Sequence, residues 1–164
     1  MLLSPLQNNA VKILGGFIQA RPKITQQFGE NPEIYKRFGL RGHSGIDFRA
    51  PVGTPLFAPC EGTLKIIDDG EKGYGLHIEI IKSNVKVVLA HLSEVLVKDG
   101  EYVHLGDKIA LTGNTGFSTA PHLHMTVKML ENGQTLNKDN GYFGAIPFLN
   151  LMVVWKGTFE KHTL

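Results

Sequence analysis

Two short segments of the chain pair histidine or aspartate at spacings that suit the binding of a metal ion. His43 and Asp47 are four residues apart, so in an extended strand both side chains lie on one face. His122 and His124 are two residues apart and also share a face, while Leu123 between them faces the other way. We therefore expect two polar faces that meet, with Leu123 pointing into a core.

Two further segments and one glycine belong to the same pattern. His91 ends a strand-like run at 85–91, where no packing role for a histidine is evident. Residues 114–121 form a loop rich in glycine and hydroxyl groups, and this loop leads directly into the paired histidines. Gly45 falls on the same strand face as His43 and Asp47, and we expect it to leave room between them.

These residue types suit zinc. Zinc accepts imidazole nitrogen and carboxylate oxygen, and a catalytic zinc site has three protein ligands and one open position. The ion can lower the pKa of a coordinated water to about 7. Further histidines beside the open position can move protons and stabilise an oxyanion. The sequence therefore predicts a metal site that supports hydrolysis.

The motifs resemble those of the lysostaphin/LytM-type zinc metallopeptidases, which cleave the peptides of bacterial peptidoglycan. The resemblance covers residues 26–128 and includes the segments 42–48, 51–55, 73–75 and 115–124. It implies that His43, Asp47 and His124 bind one Zn²⁺ per chain. It also implies that His91 and His122 are the catalytic histidines, and that peptidoglycan peptides are the partner.

The bond that is cut stays open at this point. It is either a glycyl bond of an interpeptide bridge or a D-alanyl bond of a direct cross-link. Leu89 stands where the family commonly has a tyrosine, and Ala120 where it often has glycine. Both positions adjoin the motifs without replacing a ligand, so they bear on substrate preference more than on metal binding.

Short runs of β-branched residues separated by turns predict the fold. Such runs at 63–67, 76–81, 85–91 and 122–130 favour an all-β sandwich or roll, and the resemblance implies mostly antiparallel strands. We expect little helix, mainly in an N-terminal arm at 1–20. The catalytic domain is expected at 21–130, with a C-terminal tail at 131–164 packed on it. Loops at 29–42, 93–99 and 112–121 are expected to form the walls of a groove.

Composition excludes several other classes of protein. The chain has 164 residues, enough for one domain, and its net charge of +2 is too small to indicate a nucleic-acid partner. No apolar run approaches the ~20 residues of a membrane span. Cys60 is the one cysteine; it has no activating base in the sequence, and we expect it to be buried and inert. A monomer is the default expectation.

The start of the chain lacks the pattern of a secretory signal. We therefore expect synthesis in the cytoplasm and action on the cell wall, in the periplasm or outside the cell. A bacteriophage or prophage lysis enzyme, or a virion tail-associated one, is the preferred setting. A bacterial wall-remodelling enzyme is the alternative.

Two other functions compete with the peptidase. The first is a biotinyl or lipoyl carrier domain, because residues 103–113 resemble the hairpins of such domains. A carrier needs a lysine at a tight turn, however, and Lys128 lies in a strand-like segment. The second is a wall-binding or scaffold protein of the same fold that is catalytically inactive.

His77 is expected to be a surface or packing residue, and His104 and His162 receive no role.

Overall fold

The structure is a computed structural model that describes residues 13–14, 23–148 and 152–153. Its elements follow in chain order: β1 (Ile13–Leu14), β2 (Ile24–Gln26), α1 (Pro32–Tyr35), a 3-10 turn (Lys36–Phe38), β3 (Ile46–Arg49), β4 (Pro55–Phe57), β5 (Gly62–Asp68), β6 (Leu76–Lys82), β7 (Val85–Ala90), β8 (Leu92–Val95), β9 (Tyr102–Val103), β10 (Lys108–Thr112), β11 (His122–Glu131), β12 (Gln134–Thr135) and β13 (Met152–Val153).

Two antiparallel sheets make up the fold. The larger has eight strands in the order β2-β3-β11-β7-β6-β5-β9, with β12 paired to β11. The smaller has the order β4-β10-β8. A parallel pair, β1 with β13, lies apart from both sheets. The prediction of a mostly antiparallel all-β fold with little helix is confirmed.

Helix lies elsewhere than expected among the described residues. It occupies 32–38, inside the segment predicted as the loop 29–42. Pro32 begins it, and proline suits the first helical position because the amide hydrogen it lacks would have no partner there. The helix expected in the arm 1–20 falls outside the described residues apart from 13–14, which form strand β1.

The core lies between the two sheets and is built from alternate residues of the long central strands. Leu64, Ile78, Leu89 and Leu123 are fully buried there, together with Ile109 of the smaller sheet. Alternation explains the pattern, since each core residue is followed by one on the other face. The expected inward position of Leu123 is thus observed. Leu89 also lies fully buried in the core.

The described part of the tail adds to the larger sheet. Leu136 donates its backbone N–H to Met129, and Ile146 donates to Val127. Phe148 is fully buried in the core. Residues 131–148 therefore pack along β11; the division of the whole chain into arm, domain and tail stays a prediction. Within the described residues no helix is long and apolar enough to cross a membrane.

Replacing Leu64 by alanine should lower the free energy of unfolding by about 2–5 kcal/mol, because it removes a fully buried side chain and leaves a cavity. Urea denaturation of the purified protein would measure the loss. Leu105→Ala, which truncates an exposed leucine, is the matched control and should change the value by less than about 0.5 kcal/mol. Equal losses in the two variants would contradict this assignment of the core.

Candidate functional site

The pairing of β3 with β11 brings the predicted metal ligands together. Asp47 on β3 lies directly opposite His124 on β11. His43 lies outside the strand, because β3 begins only at Ile46 and residues 41–45 bend before it. The expectation that His43 and Asp47 share one strand face is therefore wrong. The bend itself turns the His43 ring back towards Asp47.

Gly45 has a different role from the one expected. A Cβ atom there would lie 2.6 Å from Cε1 of His124 and would also collide with the carbonyl oxygen of Met125. The glycine is needed because β11 and the bend before β3 pack backbone to backbone. The absence of a side chain at Gly45 lets the His124 ring lie against the backbone of residue 45. It does not leave open space between His43 and Asp47, contrary to the expectation from the sequence.

Three ligand atoms converge in a buried space. Nε2 of His43 lies 2.8 Å from Nδ1 of His124. Oδ1 of Asp47 lies 2.9 Å from Nδ1 of His124 and 3.1 Å from Nε2 of His43. All three residues are buried. The set can hold a metal ion, since every pair of these atoms is closer than 4.8 Å.

The outer nitrogens of the two rings fix their tautomers. Nδ1–H of His43 donates to the carbonyl oxygen of Gln27 at 3.1 Å, and a carbonyl can only accept. Thr126 uses its hydroxyl proton on the carbonyl oxygen of Ser44, so its Oγ1 accepts from Nε2–H of His124 at 2.7 Å. Both neutral rings therefore carry their protons on the outer nitrogens. Such outer hydrogen bonds orient histidine ligands in metal sites.

The inner nitrogens consequently present lone pairs to each other and to a carboxylate. His43 Nε2, His124 Nδ1 and Asp47 Oδ1 face one space, and no proton remains among them while both rings are neutral. A divalent cation satisfies all three at once. Two imidazoles and one carboxylate are a donor set that zinc accepts, and three protein ligands leave a fourth position for catalysis. The residues fit the predicted ion.

Electrostatics keep the ligands in their metal-binding forms. Burial raises the pKa of Asp47, but hydrogen bonds and charge from His124 and His43, which act when their inner nitrogens carry a proton, lower it by more, so that pKa lies well below its usual range. Burial lowers the pKa of His124 despite the attraction of Asp47. At neutral pH the carboxylate is ionised and His124 is neutral. These are the states that bind metal without first losing a proton.

His91 and His122 stand side by side next to the ligands. Their ring centroids are 4.7 Å apart, and Nε2 of His122 lies 3.5 Å from Oδ2 of Asp47. Nδ1–H of His91 donates to the carbonyl oxygen of Thr115 at 2.8 Å, and Nδ1–H of His122 donates to that of Ala120 at 2.8 Å. Each ring thus keeps its Nε2 available for exchanging a proton.

Burial, with the nearby His124 and His122, lowers the pKa of His91 to about 4. His91 is therefore neutral at pH 7, and its Nε2 accepts a proton or a hydrogen bond. Its backbone has a φ of +61°, which is uncommon for a residue with a side chain. That conformation turns the ring out of the strand direction of β7 and towards the metal ligands.

A cavity of about 730 Å³ adjoins His91 through Thr115. It is lined by residues of the β5–β6 connection, by Ser93 and by residues 114–116. Two of the three segments expected as loops that wall a groove, 93–99 and 112–121, contribute to it, but the expectation of a loop is wrong at Ser93, which lies in strand β8. The third, 29–42, contacts the site on another side, where the Tyr35 ring lies 5.4 Å from that of His43.

Sequence reasoning missed several residues around the ligands. Thr126 could have been found, because it follows His124 by two residues and so shares its face of β11. Tyr35 had no such signal. Its hydroxyl donates to Oε1 of Gln26 at 3.1 Å, and burial and the charge of Asp47 raise its pKa to about 12. Gln27 acts through its backbone carbonyl, which any residue provides.

The remaining candidates have the structural roles expected of them. Cys60 is buried, and burial raises the pKa of its thiol to about 12, so the thiol stays protonated. His77 is a buried packing residue whose Nδ1–H donates to the carbonyl oxygen of Gly75 at 2.9 Å. His104 is exposed. Lys128 lies within β11 and not at a turn, unlike the lysine of a carrier domain. His162 lies outside the described residues.

The comparisons with known proteins agree with this fold. Residues 41–138 match the model of peptidase family M23. The match includes all five predicted site residues and covers more than half of the chain. The protein therefore belongs to peptidase family M23.

Individual relatives and structures show the same likeness. Peptidoglycan DD-endopeptidase ShyB of Vibrio cholerae is 40% identical over 87 residues, which are 52% of this chain and 20% of that protein. A zinc-containing peptidase from Vibrio cholerae superposes with a TM-score of 0.61 at 30% identity, over 76% of this chain and 38% of the other. The catalytic domain of EnpA, a prophage-encoded M23 protein of Enterococcus faecalis, gives 0.60 at 30% identity, over 74% and 92%.

The curated relatives are much longer than the region they share with this protein. The chain spans between 19% and 30% of their length. The region that matches the family model, residues 41–138, carries the three predicted metal ligands and both further histidines.

Zinc should bind at about one ion per chain, and Asp47→Ala or His124→Ala should abolish that binding, because each removes one of three ligands. Metal analysis after dialysis and calorimetric titration would measure it. His104→Ala, which removes an exposed histidine, is the matched control and should bind zinc as the unchanged protein does. Retention of one zinc by both ligand variants would place the ion elsewhere.

Gly45→Ala should weaken zinc binding by at least about tenfold, because the added methyl group displaces the His124 ring. Gly39→Ala is a control with open space around the new methyl group but a φ of +73°. It should lower stability by about 1 kcal/mol and leave zinc affinity unchanged. Comparing zinc titrations with urea denaturation for both variants separates the two effects. Unaltered zinc affinity in Gly45→Ala would show that His124 has room to move.

Proposed function

We propose that this protein is a zinc-dependent endopeptidase that hydrolyses peptide cross-links of bacterial peptidoglycan. One observation carries the proposal: three lone pairs converge in a buried space beside two histidines whose Nε2 atoms remain available. A site that only bound metal for structure would have four protein ligands and no such neighbours. Three ligands next to two proton carriers suit hydrolysis.

The substrate class comes from the likeness to characterised relatives. ShyB is named as a peptidoglycan DD-endopeptidase, and lysostaphin of Staphylococcus staphylolyticus is 41% identical over 92 residues. The structural likeness to a zinc-containing peptidase from Vibrio cholerae supports zinc as the metal. These likenesses favour peptidoglycan peptides as the substrate.

The residues of the chain divide the chemistry between them. His43, Asp47 and His124 would hold the zinc, which when bound polarises the peptide carbonyl and makes a water molecule more acidic. His91, neutral at pH 7, accepts a proton from the attacking water at Nε2. His122, whose Nε2 lies 3.5 Å from the Asp47 carboxylate, is placed to donate to the developing oxyanion or to the leaving amine when this nitrogen carries the ring's second proton, in the imidazolium form.

The backbone carbonyls of Thr115 and Ala120 accept hydrogen bonds from His91 and His122 and so hold both rings beside the metal ligands. Because each carbonyl fixes Nδ1 as the protonated nitrogen, proton transfer takes place at Nε2. The loop that supplies both carbonyls, residues 115–120, is therefore part of the catalytic arrangement.

The biological setting is a second part of the proposal. A bacteriophage or prophage lysis or tail-associated enzyme is favoured, supported by the likeness to the prophage-encoded EnpA domain. We propose that the protein acts on the cell wall after synthesis in the cytoplasm, as a monomer. A bacterial wall-remodelling enzyme is the alternative.

His91→Ala and His122→Ala should each lower the rate of peptidoglycan hydrolysis by about 10²–10⁴-fold, while the zinc content stays near one, because they remove proton carriers and no ligand. The substrate is purified peptidoglycan from a Gram-negative and a Gram-positive source. Mass spectrometry of the released peptides identifies the bond cut. A chelator should abolish the reaction, and added zinc should restore it.

His104→Ala is the control and should cleave at the unchanged rate. If folded, zinc-loaded protein cleaves neither type of wall but binds it, the protein is a wall-binding or scaffold member of the fold. Full activity in either histidine variant would remove that residue from the mechanism.

A further inference from the structure

The guanidinium of an arginine lies against two exposed aromatic rings that also contact each other. The guanidinium carbon of Arg37 lies 4.8 Å from the centre of the Phe38 ring and 4.7 Å from that of Phe117. The two rings meet edge to face with their centroids 5.0 Å apart. Phe38 is 40% exposed and Phe117 41% exposed. The cluster therefore joins the 29–42 segment to the 112–121 loop at the surface.

Residues that neighbour this cluster in both chain segments contact the catalytic centre. Two residues before Arg37, the Tyr35 ring lies 5.4 Å from the ring of the metal ligand His43. One residue after Phe117, Oγ of Ser118 lies 3.2 Å from Nδ1 of His122. The guanidinium thus stands where the segment touching a metal ligand meets the loop touching a catalytic histidine.

The charge of Arg37 is available for a ligand. Within residues 23–148 no carboxylate lies within ion-pair distance of its guanidinium. Arg37 is exposed, and within residues 23–148 no hydrogen bond to its N–H groups is found, so these groups can bind a ligand. Contact with two rings restricts the side chain before any ligand arrives, which reduces the entropy lost on binding.

We propose that Arg37 is a specificity-determining residue that binds a carboxylate of the substrate next to the scissile bond. A planar guanidinium recognises a carboxylate through two parallel hydrogen bonds. The position at the edge of the catalytic centre selects a carboxylate near the bond that is cut. This inference rests on the proposed function.

The proposal decides between the two bonds left open. In a direct cross-link through a diamino dicarboxylic acid, a carboxylate is attached to the carbon that bears the scissile nitrogen. A glycyl bridge has no charged group beside its internal bonds. Arg37 therefore directs the enzyme to D-alanyl cross-links in which the leaving amine carries a free carboxylate.

The experiment uses two purified cross-linked peptide dimers that differ at one group. One has the free carboxylate beside the scissile nitrogen, and the other has the uncharged carboxamide there. Product release is followed by liquid chromatography and mass spectrometry with zinc-loaded protein. The unchanged protein should cleave the carboxylate dimer about 10- to 100-fold faster, as expected for a hydrogen-bonded charge pair. Arg37→Gln should lose that advantage and cleave the carboxamide dimer within about twofold of the unchanged protein.

Lys36→Gln is the matched control, because it removes one positive charge from the same turn without touching the aromatic cluster. It should keep the preference for the carboxylate. Phe117→Leu should reduce the preference, because one of the two rings that contact Arg37 is lost. Zinc content and urea denaturation of each variant report whether the fold and the metal site are intact.

Three outcomes would overturn the proposal. Equal rate changes on both dimers in Arg37→Gln would mean that Arg37 only shapes the rim. No preference of the unchanged protein for the carboxylate would exclude recognition of that group. Cleavage of glycyl bridges alone would keep the peptidase function and remove this inference, whereas no cleavage of any wall peptide would remove the peptidase function itself.

Discussion

The pairing of β3 with β11 is the constraint on which the rest of the site depends. Its register puts Asp47 opposite His124, and the same strand carries His122 on the same face. The opposite face of β11 carries Leu123 and Met125, both fully buried in the core. A slip of one residue would turn these apolar side chains towards the loops and the histidines into the core. Hydrophobic burial thus fixes the geometry of the metal ligands.

A second constraint, a contact between loops, positions His91, which we propose to be catalytic together with His122. Gly75 and Gly116 both have positive φ, and a Cβ on Gly75 would lie 2.6 Å from Oγ1 of Thr115. The close approach lets Phe117 donate its N–H to the carbonyl of Gly73 at 2.9 Å. Thr115 is thereby held with its carbonyl facing His91. Strands place the ligands, while packed loops place the groups that move protons.

Local alternation explains which parts of the site were predictable from the sequence. His122, Leu123 and His124 follow the two-residue period of a strand, and the structure places all three as expected. The motif identifies His43, but the prediction that it shares a strand face with Asp47 is wrong, because a bend of the chain leaves no periodic signal. The Asn31–Pro32 pair is a common start of a helix, and the short helix at 32–38 could have been found from it.

Contacts between distant loops could not be predicted in this way. Arg37 contacts Phe117, which lies eighty residues further along the chain, and no local pattern of the sequence indicates that these two segments meet. Single-sequence patterns report the local period of the chain and not which loops meet. Carbonyl acceptors such as that of Gln27 are harder still, since every residue has one.

The burial that makes the ligands effective also makes the metal-free site unfavourable. In the neutral rings, Nδ1–H of His43 donates to Gln27 and Nε2–H of His124 donates to Thr126. Their inner nitrogens therefore face the ionised carboxylate of Asp47 with no proton between them. Folding without metal must bring these lone pairs together, or must place an extra proton on a buried imidazole at a cost. A bound cation removes both penalties, so its binding free energy adds to the stability of the fold. Binding of the proposed zinc ion would therefore be coupled to folding of the segments that carry these three side chains.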